Sequence, residues 1–247
     1  MRSVRKGAKA LLLLGLLLSC AKKEVIRPPL PPEAITPELL IEAVSYDHID
    51  TLSSELRVRI YRDEEPFAYL TGVVSYKRPA LLASTFLGPL GVTVMKLVVA
   101  DNSVEILLPG KEVLYTSSMT LSPLLPDAQA LAQWPRDVSE SEDDYILTLY
   151  AGSGETIARY YFAKETLENH TVEKFAGGKL LMRMEISERG PNNVPLKFSI
   201  ITGQSRFSVV QTNVVVNGEI PEASFTRLSA PKRLPLQDLF RALAPTR

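Results

Sequence analysis

The stretch GPLGVTVMKLVVADNSVEILLPGKEVLYTSS, residues 88–118, decides the class of fold. Apolar and polar side chains alternate through VTVMKLVVA, SVEILL and EVLYTS, and each run stops at Gly, Pro or Asp-Asn. Period two bounded by turn formers predicts short antiparallel strands. At the head of this stretch, TFLGPLGV (Thr85 to Val92) wraps Phe86, Leu87 and Leu90 around a Gly-Pro turn between two alternating segments. Turn tips normally face water, where a large apolar side chain has nothing to pack on. Leu90 therefore asks for an explanation.

Outward from this stretch the pattern continues. ELRVRIYR and FAYLTGVVSYK precede it, and DYILTLY, TIARYYFA, TLENHTVEKF, KLLMRMEIS, PLKFSII, SVVQTNVVV and a short ASFTRL follow. Two helices interrupt the strands. Thr36-Pro37-Glu38 reads as a helix start, with Thr36 as N-cap, Pro37 at the first helical position and Glu38 near the positive end of the dipole. Leu39, Leu40, Ala43 and Val44 then share one face. DAQALAQW, Asp127 to Trp134, has helical spacing and stops at Pro135. A third short helix is expected over Leu236 to Leu243 in the C-terminal KRLPLQDLFRALAPTR. About a dozen strands at ten-residue spacing with few helices predict a mainly β protein: a single curled antiparallel sheet, an incomplete barrel, covered by helices.

The first residues address where the chain goes. Arg2, Arg5, Lys6 and Lys9 stand before the apolar run Ala10 to Leu18, which ends at Ser19-Cys20. This is the layout of a secretory signal over residues 1–19, and its nine apolar residues fall short of the 17 or more that a membrane-spanning helix needs. Cys20 is the only cysteine among 247 residues, so a disulfide within the chain is excluded. Leu17-Leu18-Ser19-Cys20 resembles the bacterial lipobox, which implies acylation of Cys20 as the first mature residue; Ala21 in the next position implies export to the outer membrane, with the protein on its periplasmic face. Two or more acyl chains give stable anchoring. Residues 20–35 carry four prolines between Pro28 and Pro32 and read as a semi-rigid tether. At about 3.1 Å per residue it holds the domain, residues 36–247, up to roughly 45 Å from the membrane.

Charge and chemistry narrow the function. The signal contains four of the 28 basic residues and none of the 28 acids, which leaves 24 against 28 and a net charge of −4 on the mature chain. Such a surface does not attract nucleic acid. His48 and His170 are the two histidines and stand in no metal-ligand spacing, so no metal or other cofactor is expected beyond lipid on Cys20. No Gly-x-Ser-x-Gly elbow occurs, and AGSGE at 151–155 reads as a hairpin turn. SESEDD, Ser139 to Asp144, reads as a solvated loop before a strand. No catalytic residue can be named, and an enzyme is not expected.

One resemblance joins these features. A lipobox, a Pro-rich tether, an N-terminal helix, successive strands and a helix ending in Gln-Trp resemble the LolA/LolB lipoprotein-localisation family, above all its LolB-like outer-membrane receptors. The likeness runs over residues 36–228 in element order, and in sequence it rests on residues 88–118 and on ALAQWPRD. It implies a cavity that binds acyl chains and a protein that accepts lipoproteins from a periplasmic LolA-like carrier and inserts them into the outer membrane, acting as a monomer. It also implies that Leu90 protrudes, shaped by Pro89 and Gly91, with Phe86 and Leu87 beside it contacting membrane or acyl chain, and that Trp134 helps close the lid. The alternative is an envelope-assembly lipoprotein that uses the same fold as a docking module, its interior filled by its own side chains.

Overall fold

The computed structural model describes residues 35–100, 102–118, 125–236, 238 and 239. The signal, Cys20 and nearly all of the tether lie outside these residues, as do residues 237 and 240–243 of the expected C-terminal helix.

Helix α1 spans Pro37–Val44. The Thr36 hydroxyl accepts from the Leu39 amide at 3.2 Å, Pro37 sets the first turn, and Leu40, Ile41 and Val44 are buried. Ile41 rather than Leu39 completes the apolar face. Helix α2, Ala128–Ala132, is capped by Asp127, whose carboxylate accepts from the Ala130 amide at 2.6 Å.

Fourteen strands among the described residues form one sheet: β1 Thr51–Arg62, β2 Glu65–Lys77, β3 Leu81–Leu87, β4 Thr93–Ala100, β5 Ser103–Leu108, β6 Val113–Ser118, β7 Arg136–Glu140, β8 Asp144–Tyr150, β9 Thr156–Ala163, β10 Asn169–Ala176, β11 Lys179–Arg189, β12 Pro195–Thr202, β13 Ser205–Val216 and β14 Lys232–Pro235. Their spatial order is β14-β6-β5-β4-β3-β2-β1-β13-β12-β11-β10-β9-β8-β7. Two meanders, β1 to β6 and β7 to β13, are joined through β1 and β13 in antiparallel register, with Ile60 opposite Phe207. The sheet does not close, and β7 and β14 are its edges. This is the expected incomplete barrel.

Strand directions give the sheet two rims. The turns at 63–64, 88–92, 109–112, 151–155, 177–178 and 203–204 all lie at one rim, and those at 78–80, 141–143, 164–168 and 190–194 at the other. Three apolar clusters hold the structure. Leu147, Leu149, Tyr160 and Phe162 pack under both helices; Val99, Val104, Val113 and Tyr115 pack under Leu236 and Leu239; Ile49, Leu52, Tyr76 and Val194 pack beneath the segment that leaves α1.

Three sequence expectations change. ASFTRL is not a strand: Glu222–Phe225 is a 3-10 turn, and the following residues cross the outer face of the sheet. The reason is the buried Glu105 carboxylate, which accepts from Arg227 Nε at 2.9 Å and from the Leu228 amide at 2.7 Å. The segment spends its hydrogen-bonding groups on that side chain instead of on a ladder. Ser139 and Glu140 belong to β7 rather than to a loop, while residues 140–143 are exposed as expected. RDVSE has one apolar residue because an edge strand needs little burial to pair with β8. KRLP, read only as part of an unmatched tail, forms β14 parallel to β6, a pairing set by a partner more than 100 residues away.

Candidate functional site

A cavity of about 670 Å³ lies on the inner face, between the β1–β4 side and the β10–β13 side of the curl. That is within the range of small-molecule sites, roughly 300 to 1,000 Å³. Its walls follow from period two. Leu56, Val58 and Ile60 of β1 point inward, as do Phe198 and Ile200 of β12, Phe207 and Val209 of β13, and Met182, Met184 and Ile186 of β11. Phe86 and Met95 close the wall on β3 and β4. Gly72 sits opposite Phe86, and a Cβ there would stand 3.2 Å from Phe86 Cδ1 and 2.5 Å from the Thr85 carbonyl oxygen, so the glycine lets the ring settle over β2.

One end of the cavity is tied shut. Tyr46 and Ile49, from the segment after α1, line it together with Val44, Leu125 and Pro126. Arg78 donates to the Tyr46 carbonyl at 2.5 Å and to the Ile49 carbonyl at 3.2 Å, while Asp47 and Asp50 flank its guanidinium at 3.7 and 3.9 Å. Arg189 donates to the Asn193 carbonyl at 2.6 Å, to the Tyr46 hydroxyl at 3.2 Å and to the Asn169 carbonyl. Burial here pushes the Tyr76 phenol above its ordinary value. The polar side chains in the wall are satisfied as well. Gln211 accepts from Ser54 at 2.6 Å and donates to the Pro195 carbonyl at 2.7 Å, and Asn169 donates to the carbonyls of Tyr161 and Thr171 at 3.0 Å each.

The opposite rim carries the Leu90 turn. Pro89–Gly91 is a single 3-10 turn closed by the Gly88 amide donating to the Val92 carbonyl at 2.9 Å. Leu90 is 100% exposed and adopts φ 63°, ψ 17°, and Gly91 follows at φ 72°. A bulky residue in the left-handed region is strained by about 1 to 2 kcal/mol. Leu90 thus bears both strain and the exposure of a full Leu side chain, with no packing in return. Phe86 is placed otherwise: it lies in β3 and lines the cavity, while Leu87 ends that strand half-buried. The rim around Leu90 is apolar too, since Phe67 and Tyr69 at the start of β2, Val92 and Val94 at the start of β4, and Leu180 and Leu181 at the start of β11 are all exposed. Trp134 follows α2 at this rim, exposed, and is not among the cavity's lining residues; Leu125 and Pro126, just before α2, line the cavity at its tied end. Arg136, two residues on, donates to Glu38 of α1 at 2.8 Å and holds that carboxyl below its usual range.

Neither histidine lines the cavity. His48 Nε2 contacts the Asn192 carbonyl at 3.2 Å, and His170 sits between Asp144 at 2.8 Å and the buried Thr171 hydroxyl at 3.0 Å.

Sequence reasoning missed Lys174, whose side chain enters the cavity wall. The signal was present: in HTVEKF the register that places Val172 inward also places Lys174 inward.

No protein-family model matches the chain, and no curated protein does. Solved structures do. A DUF1329 family protein from Desulfovibrio piger superposes with a TM-score of 0.60 at 14% identity, over 77% of this chain and 95% of the other. A LolA superfamily protein from Nitrosomonas europaea gives 0.57 at 11%, over 78% and 99%. A domain from Vibrio parahaemolyticus described as a putative outer membrane lipoprotein-sorting protein gives 0.52 at 10%, over 76% and 94%. The unclosed curled sheet, its apolar interior and its two short helices are therefore the LolA-like fold.

Proposed function

We propose that this protein is a lipid-anchored outer-membrane lipoprotein, held by acyl chains on Cys20, that takes lipoprotein acyl chains into its cavity and passes them to the bilayer. The observation that carries this reading is the pairing of an apolar cavity of about 670 Å³ with a fully exposed Leu90 at its rim. Each buried CH₂ contributes about 0.8 kcal/mol, so an acyl chain enters without covalent chemistry. Leu90 contributes roughly 1.5 to 3 kcal/mol when buried, too little to anchor the protein but enough to orient its rim. Phe67, Leu180 and Leu181 extend that apolar rim toward the membrane. A LolA-like carrier would deliver the cargo, and the LolA-like fold supports this assignment of roles.

A second reading has one specific observation behind it. Leu236 and Leu239 fill the inner face over β4 to β6, so part of the curl is its own core. A docking lipoprotein would need the remaining cavity to be filled as well.

The experiment uses the full chain with Cys20→Ser, which removes the acylation site, mixed with a carrier holding a triacylated lipoprotein and then with liposomes. Cargo is expected to move to the protein and on to the liposomes. Leu90→Glu should accept cargo normally and release it roughly tenfold more slowly or worse, equivalent to about 1.5 kcal/mol. If no cargo moves and the protein purifies without lipid, the docking reading replaces this one.

A further inference from the structure

Among the described residues, the cavity wall contains one charged side chain, Lys174 of β10. Its ammonium donates to the hydroxyl of Tyr160 at 2.9 Å and lies 5.0 Å from that ring's centroid. Tyr160 is buried in the core and Lys174 is half-buried, so the bond holds the ammonium to the inner face near the rim. Its cross-strand neighbours are Ala158 and Met182, neither of which carries charge. Among the described residues no carboxylate forms an ion pair with it. The adjacent outward residue behaves differently: Glu173 accepts from Tyr161 at 2.8 Å and has Arg183 at 3.8 Å. A cation half-buried on an apolar face is less well solvated than in water, and an anionic ligand would supply the counter-charge it lacks.

We infer that the cavity takes a long-chain amphiphile with a carboxylate head, the head against Lys174 and the tail running inward. This rests on the reading above that the cavity holds acyl chains, and adds a second ligand class to it, because the ester- and amide-linked chains of a lipoprotein carry no carboxylate. Lys174 stands one pleat outside the Val172–Met184 pair, toward the rim that carries Leu90, so a bound head would sit near that rim. From Lys174 to Asn169, which lines the tied end, the wall is about 17 Å long at roughly 3.4 Å per residue. That length is apolar between its ends, with Val172, Met184, Ile200 and Phe207 facing it. The tied end has its polar groups already paired, so the head has one place to go.

The test displaces a fluorescent fatty acid from the full chain carrying Cys20→Ser, with palmitate, hexadecanol and hexadecylammonium as competitors. Palmitate should bind at least tenfold more tightly than hexadecanol. Lys174→Met should erase that preference while leaving hexadecanol unchanged, Lys174→Arg should keep it, and Lys174→Glu should shift it to hexadecylammonium. Equal binding of palmitate and hexadecanol to the unaltered chain, or a preference that survives in Lys174→Met, overturns the inference and leaves the acyl cavity standing. Binding of none of the competitors overturns both. Circular dichroism on each variant separates loss of the site from loss of the fold.

Discussion

Two turns in this molecule have the same backbone and opposite fates. Gly88-Pro89-Leu90-Gly91-Val92 and Gly190-Pro191-Asn192-Asn193-Val194 each close with the glycine amide on the valine carbonyl at 2.9 Å. Each puts its two central residues in the left-handed region, at φ 63° and 72° in the first and 57° and 61° in the second. Each starts on a glycine that a neighbour crowds, since a Cβ would stand 2.8 Å from Val94 or 2.9 Å from Leu196. The Asn turn is locked into the tied rim. Val194 is 2% exposed, the Tyr46 hydroxyl and Arg189 donate to the Asn193 carbonyl, and Asn193 reaches the Ala43 carbonyl. The Leu turn hangs in solvent, with Leu90 at 100% and Val92 at 61% exposed. Asn tolerates left-handed backbone, whereas Leu does not. Packing and hydrogen bonding account for the Asn turn, whereas nothing in the fold rewards the strain and exposure of Leu90, and this supports the binding role proposed for it.

The widest separation between the two turns should come from their valines. Val194→Ala is expected to lower stability by about 2 kcal/mol, because it opens a cavity in a close-packed cluster, while Val92→Ala stays within about 0.5 kcal/mol. Urea denaturation of both variants measures this, and equal losses would mean that the turns are packed alike.

A sharper test exchanges the tips. Leu90→Asn should raise stability by about 1 kcal/mol by relieving the left-handed strain, and in the same protein slow the release of cargo to liposomes. Asn192→Leu should lower stability by about 1 kcal/mol without affecting release, since it lies at the other rim. A Leu90→Asn variant that is both more stable and fully active would remove the functional argument for Leu90.

The smallest effect concerns the tied rim. Desolvation raises the Tyr76 phenol there, opposed by the nearby Arg78 charge. The folded state therefore favours the protonated phenol. Its contribution is intact below the ordinary tyrosine value near 10 and is lost as pH rises from there through the raised folded value. Absorbance titration should show two late-ionising tyrosines, Tyr76 and Tyr161, of which Tyr76→Phe removes one, and loosening the rim with Arg189→Ala should bring that one earlier.

Much of the fold was legible because its causes are local. The Thr36 cap, the Pro37 start and the limits of β8 and β9 follow from neighbours within a few residues, and alternation through residues 92–117 predicted β4, β5 and β6. Most of what escaped has its cause elsewhere: β14 exists through β6, and the residues after Phe225 are aligned by Glu105, over 100 positions earlier, whereas β7 escaped because an edge strand carries little apolar pattern. The site divides in the same way. Leu90 stood out because a Leu at a Gly-Pro tip is odd in any fold. Lys174 did not, since a lysine in a strand is ordinary until the curl decides which face is inside.

The sequence by itself determined where strands and helices form, how the Gly-Pro turns are built and that one tip would be apolar, because period two, capping and turn chemistry act over a few residues. Only the tertiary structure decided that one Gly-Pro turn is buried in hydrogen bonds while its twin is bare, that the sheet curls without closing around a cavity, and that Lys174 faces that cavity with no counter-charge among the described residues. Those outcomes depend on pairing β1 with β13 across some 150 residues, and burial is a property of the assembled sheet rather than of any one segment of it.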